Sequence, residues 1–344
     1  MKVRLKGTMK LGRSTYRFKS NVAISDCFTV VGKKEGQGPL SIYFDMVIED
    51  EYAGQKSWEL AEGKLLNIAI TKLVQRAGEK PDNIDLILSG DLLNQLSSSH
   101  FAARDLDIPF IGIYGACSTF ALSVGLASLF VDSGFAKNVI AATSSHFCSA
   151  EKQFRYPLEL GTQRPPTSQW TVTGAAAFLI KQEDSSQSPK ITHFTVGRIL
   201  DFGIKDPNNM GAAMAPAAFD TIMRHFSDTK RSFDYYDMII TGDLGHVGRK
   251  LLDELFKKEG IRFSSELFDC GILMFNPETQ NTGAGASGCA ASACVFGGYL
   301  YKLLRERTFE KILIVPTGAL MSQSTALLGE SIPVIAHALA IEIV

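Results

Sequence analysis

Asp82-Asn-Ile-Asp-Leu-Ile-Leu-Ser-Gly-Asp-Leu92 and Asp234-Tyr-Tyr-Asp-Met-Ile-Ile-Thr-Gly-Asp-Leu244 are the same segment written twice. In both, two acids three residues apart precede a short apolar strand, which leaves through Gly-Asp-Leu. The correspondence continues outward in one order. Phe110–Tyr114 answers Gly271–Phe275, Asn138–Ser145 answers Lys311–Gly318, and Gly174–Ile180 answers Val334–Ile343. A duplicated α/β unit follows, with halves 1–188 and 189–344 joined through the polar Glu183–Pro189 segment.

Between the apolar runs lie helical patterns at Ser57–Ala77, Ser99–Leu106, Phe120–Ser133, Pro216–Phe226, Val247–Glu259 and Ser287–Arg305. Ser57 is a predicted N-cap and Gly78 a predicted stop. Phe120–Phe130 and Gly285–Gly298 carry no charge at all. A helix without a polar face is buried all round, so one such helix per copy predicts a central layer of two helices between two sheets.

The chain has 344 residues, 45% hydrophobic and 21% charged, with a net charge of −1. A near-neutral balance excludes broad nucleic-acid binding, which needs surplus Lys and Arg. The six cysteines show no CxxC spacing and no clustering with histidines, so neither a cofactor nor a resident metal is expected. Met1–Tyr16 is basic but lacks the apolar core of a secretory signal. The weakly polar stretch Ala284–Leu300 falls short of the ~20 apolar residues of a membrane span.

Ile111-Gly-Ile-Tyr-Gly-Ala-Cys-Ser-Thr-Phe120 reads as a buried strand, a tight turn and a helix start. Cys117 falls at the turn, where unpaired N–H groups and the helix dipole favour negative charge. Gly115-Ala-Cys-Ser-Thr119 with its apolar helix, followed by Asn138-Val-Ile-Ala-Ala-Thr-Ser-Ser145, resembles the nucleophile region of thiolases and ketoacyl synthases. That resemblance implies α/β structure of the five-layer α-β-α-β-α thiolase fold. Gln55–Glu59, Gly90–Gln95, Tyr114–Thr119, Ala141–His146, Gln153–Pro157, Met214–Ala218, Thr241–Leu244, Ser287–Ala290 and Ser331–His337 are similar to one branch in particular, the stage V sporulation protein AD family of spore formers.

This family resemblance implies binding of dipicolinic acid during its uptake into the developing spore, alongside membrane proteins of a channel complex. It further implies a homodimer, and a location in the spore, peripheral to the inner spore membrane or soluble in the sporulating cell. Cys117 then stands at the nucleophile position, but the catalytic set looks incomplete. By correspondence with ketoacyl synthases, Asp243 stands where a histidine is expected, with His246 three residues on. Asn281 resembles the asparagine-containing turn of those enzymes.

The ligand is a flat dianion. The amides of Cys117, Ser118 and Thr119 are expected to hold one carboxylate, and His146, Arg155 or Arg164 the other. Asp91, Asn94, Asp243 and Asn281 complete the expected pocket, with calcium as an optional companion of the ligand. Two further readings stay open: an acyltransferase using Cys117 with His246 or His146, and an assembly scaffold with a vestigial pocket.

Overall fold

The structure is a computed structural model that describes residues 9–154, 164–262 and 266–344. Ten strands of its 13-stranded main sheet form a path that divides into two five-stranded halves of like topology, with three short strands beside it. In the first half the order is Val22–Gly32, Gly174–Gln182, Val139–Ser145, Leu86–Gly90, Phe110–Gly112. In the second it is Lys190–Thr195, Ala338–Glu342, Lys311–Val315, Met238–Thr241, Glu266–Asp269. In each half the first three strands pair antiparallel and the last three parallel. The halves meet where Lys190 pairs with Ala23.

Strand alternation builds the layers. Leu86 and Leu88 face one way with Met238, Ile240, Ile312 and Ile314, onto a core shared with Phe120, Val124, Ala290 and Phe296. Ile87 and Ile140 face the other way, onto the outer helix Trp58–Arg76. Ile239 and Leu313 likewise face outward onto Met210–Thr229 and Gly245–Lys258. The helices Thr119–Asp132 and Cys289–Arg305, which contain the two uncharged stretches, therefore form the middle layer. The second contains a π-turn at Phe296–Leu300. This is the expected α-β-α-β-α stack.

The repeated acids Asp85 and Asp237 do the same work in both halves. Asp85 accepts from the amides of Lys137 and Asn138, and Asp237 from those of Glu310 and Lys311. Each ties the start of one parallel strand to its neighbour. Ser57 caps its helix by accepting from the Leu60 amide at 3.3 Å, and Gly78 ends it at φ +69°.

Three sequence expectations shift. Gly271–Phe275 is not a strand: Asp269 accepts from the Ile272 amide and opens the helical turn Cys270–Met274, so the second-half edge strand is Glu266–Asp269. Val334–Ile341 is divided at His337 into Val334–Ala336 and Ala338–Glu342. The helix expected from Pro216 begins at Met210 and carries Pro216 inside it.

Candidate functional site

Cys117 lies where the edge strand Phe110–Gly112 turns into the central helix. Ala116 takes a left-handed conformation at φ +48°, and Ala116–Ser118 is a single 3-10 turn. Such backbone is costly for a residue with a Cβ and persists only when its surroundings hold it. Here three donors fix the Ala116 carbonyl: the Thr119 amide, Thr119 Oγ1 at 2.6 Å and Cys289 Sγ at 3.0 Å. Ser118 Oγ donates to Gly115 O at 2.6 Å, and the Ser118 amide donates to the same carbonyl.

Those bonds overturn one expectation. The amides and hydroxyls of Ser118 and Thr119 are spent inside the turn and do not form an anion cradle. The Cys117 thiol instead lies beside Asp243, and each shifts the other's titration. Asp243 follows the strand Met238–Thr241. It accepts from Thr317 Oγ1 at 2.8 Å and from the Gly288 amide at 3.3 Å. Burial pushes the Asp243 carboxyl up to about 7, against the pull of Cys117 and Thr317 beside it. Burial first, then Asp243 and Cys289, push the Cys117 thiol well above its ordinary range. A thiolate beside a carboxylate is doubly disfavoured, because burial opposes its charge and like charges repel. At neutral pH the sulfur is a thiol.

Beside it lies a cavity of about 30 Å³, walled largely by Leu92, Tyr114, Ala150, Phe154, Met210 and Met321. That is room for about one water molecule. Tyr114 closes across it, its hydroxyl donating to Met321 O at 3.3 Å. None of the chain's six histidines lines this cavity.

Of the residues expected at the site, the structure brings together Cys117 and Asp243. Asp91, the repeat partner of Asp243, is consumed elsewhere: it accepts from the Leu93 amide and from the amide and hydroxyl of Ser99, fixing the helix Ser97–Arg104. Asn94 is exposed, its amide bonded to Gln153 Oε1. Asn281 is an exposed left-handed cap ending the turn Pro277–Gln280. His246 is exposed. His146 is buried, with Nε2 on Glu51 O at 2.8 Å and Nδ1 accepting from the Cys148 amide, and it walls a different cavity. Arg164 is engaged by Glu151 and Ser168 and rests over Phe147 and Trp170. Arg155 lies outside the described residues.

Sequence reasoning missed Thr317, Gly288 and Cys289, which hold Asp243 and the turn, and Met210 and Met321, which close the cavity. All come from the second half and reach Cys117 only through the fold.

Asp243 has a consequence for stability. Its folded value lies above the ordinary carboxyl range, so its contribution is fully present below about pH 4 and is lost as pH rises through about 7. Asp243→Asn carries no such proton. Urea unfolding at pH 5 and pH 8 is expected to show a smaller drop for the variant than for the parent chain; equal drops would contradict the assignment.

Solved structures of the same fold include 3-oxoacyl-[acyl-carrier-protein] synthase III from Aquifex aeolicus, 14% identical, covering 93% of this chain and 99% of that one at TM-score 0.54. Cerulenin-bound OleA of Xanthomonas campestris is 12% identical over 94% and 96% of the two chains, at TM-score 0.55. These likenesses establish the thiolase-type fold alone. The family described as Stage V sporulation protein AD matches residues 12–342. The Stage V sporulation protein AD of Bacillus subtilis (strain 168) is 45% identical over 335 residues, 97% of this chain and 98% of that protein. The chain belongs to the Stage V sporulation protein AD family.

Proposed function

We propose that this sporulation-family chain is a catalytically idle thiolase-fold protein that binds dipicolinic acid for transport into the developing spore. The observation that carries the idle half of the reading is the thiol–carboxyl pair of Cys117 and Asp243. A condensing enzyme needs a base to activate its nucleophile and donors for an oxyanion. Asp243 raises the thiol's pKa rather than removing its proton, and no imidazole lines the cavity. His246 is exposed and His146 faces another cavity, so neither lends support to the acyltransferase reading.

The binding half draws on family membership and on the state of Asp243. A carboxyl near 7 is substantially protonated in mildly acidic solution, and then donates to a carboxylate rather than repelling it. Entry of the ligand displaces Met210 and Met321, unbranched side chains that repack easily. No helix among the described residues is long and apolar enough to cross a membrane. Association with membrane proteins of a channel complex is supported by the exposed apolar residues Ile199, Phe202, Leu327 and Leu328. A homodimer is supported by the open edge of Phe110–Gly112, where Ile111 and Tyr114 are exposed.

Calorimetry with dipicolinate tests the reading. Saturable heat is expected, with affinity falling by up to about tenfold per pH unit above 7 as Asp243 ionises. Equal affinity with and without calcium would remove the metal-bridged form. No saturable heat would leave the scaffold reading, which the smallness of the cavity favours.

A further inference from the structure

The described residues also form a partly open cavity of about 260 Å³, separate from the Cys117 cavity. One short helix and one short strand divide the two. Of the helix Phe147–Phe154, Phe147 and Cys148 face the larger space while Ala150 and Phe154 face Cys117. Of Trp170–Thr171, the indole faces the larger space and Thr171 the smaller.

The larger space has the marks of a built site. Glu35 is 1% exposed and forms part of its wall. Its Oε1 accepts from the Thr173 amide at 3.0 Å, but Oε2 has no hydrogen-bond partner. An unpaired oxygen on a buried carboxyl is costly unless a donor reaches it. Burial pushes this carboxyl up to about 7, with the Lys34 ammonium pulling the other way. Leu65, Ile48 and Phe147 supply an apolar wall, and Asp50 and Glu51 an acidic rim.

The aromatic wall points to the same chemistry. Trp170 stacks on Phe147 with ring centroids 3.6 Å apart. The Lys34 ammonium lies 3.9 Å from the Trp170 centroid, so the chain's own cation occupies the aromatic surface. Lys33, the other cation of the wall, is turned to Glu49 at 3.9 Å. His146 is in the wall too, but its ring nitrogens are both engaged.

We infer that the cavity walled by Lys34, Glu35 and Trp170 binds a small organic ammonium compound. The ammonium donates to Glu35 Oε2, displaces Lys34 from the indole and lays its hydrocarbon body against Leu65 and Ile48.

Trp170 makes the site readable. With Trp58→Phe as background, Trp170 is the remaining tryptophan, and its fluorescence is titrated with butylammonium chloride and with sodium butyrate. A saturable change with butylammonium and none with butyrate is expected. Glu35→Gln, checked by urea unfolding to be folded, is expected to weaken binding at least about tenfold through loss of the charge-assisted bond. Lys34→Met, which removes the Lys34 ammonium from the indole, is expected to tighten it. No saturable change, an equal response to butyrate, unaltered affinity in Glu35→Gln, or weaker binding in Lys34→Met would each overturn the assignment.

Discussion

Phe178→Ala is expected to lower stability by about 4 kcal/mol, the cost of removing a fully buried aromatic ring. Phe178 is wholly buried on Gly174–Gln182, the strand next to the centre of the first half-sheet. Its ring meets Phe120 at 4.9 Å and Phe296 at 6.0 Å, and those two meet each other at 5.4 Å. Phe120 and Phe296 belong to the two central helices, so the three rings join a sheet to both members of the middle layer. Gly297 packs against the same ring, with its Cβ direction 3.3 Å from Phe178 Cε1. Equilibrium urea unfolding measures the loss; a cost below about 1.5 kcal/mol, the range of a tolerated volume-conserving swap, would contradict this packing.

Gly90→Ala comes next, with an expected cost of about 3 kcal/mol from overpacking. Gly90 ends the strand Leu86–Gly90, and a Cβ there would stand 1.9 Å from the Ile113 carbonyl oxygen and 3.0 Å from Thr119 Cγ2. Backbone cannot yield as a side-chain tip can. The displaced segment is the run from Ile113 to Thr119 that sets Ala116 at its left-handed angle and aims Cys117 at Asp243. The variant is therefore expected to lose dipicolinate binding as well as stability. A variant of parental stability and affinity would show that the turn is not held by this contact.

The half-repeat was legible because Asp85 and Asp237 each tie two strands, a task that fixes residue type at one position in both copies. The same logic misled at Asp91 and Asp243. The sequences are alike, but Ser99 engages the first, whereas Thr317 and Cys117 meet the second. Partners that arrive from 74 or more residues away leave no local trace. The long strand Val22–Gly32 went unseen because Ser25 and Asp26 interrupt its apolar run; the pairing shifts register between Ile24 and Asp26, letting Asp26 turn to Arg76. Gly271–Phe275 looked like a strand by composition, and only the Asp269 cap makes it helical. At the site, the position of Cys117 was readable from its turn. The occupation of its neighbouring amides was not, because Ser118 and Thr119 bond within the turn itself.

Whether the sulfur can act is decided by its proton. The chain, incubated with acyl-coenzyme A at neutral pH and followed by intact mass over time, is expected to remain at its unmodified mass. Accumulation of an acyl adduct on Cys117 that then disappears with release of product would contradict the account, because it would require the thiolate that Asp243 opposes.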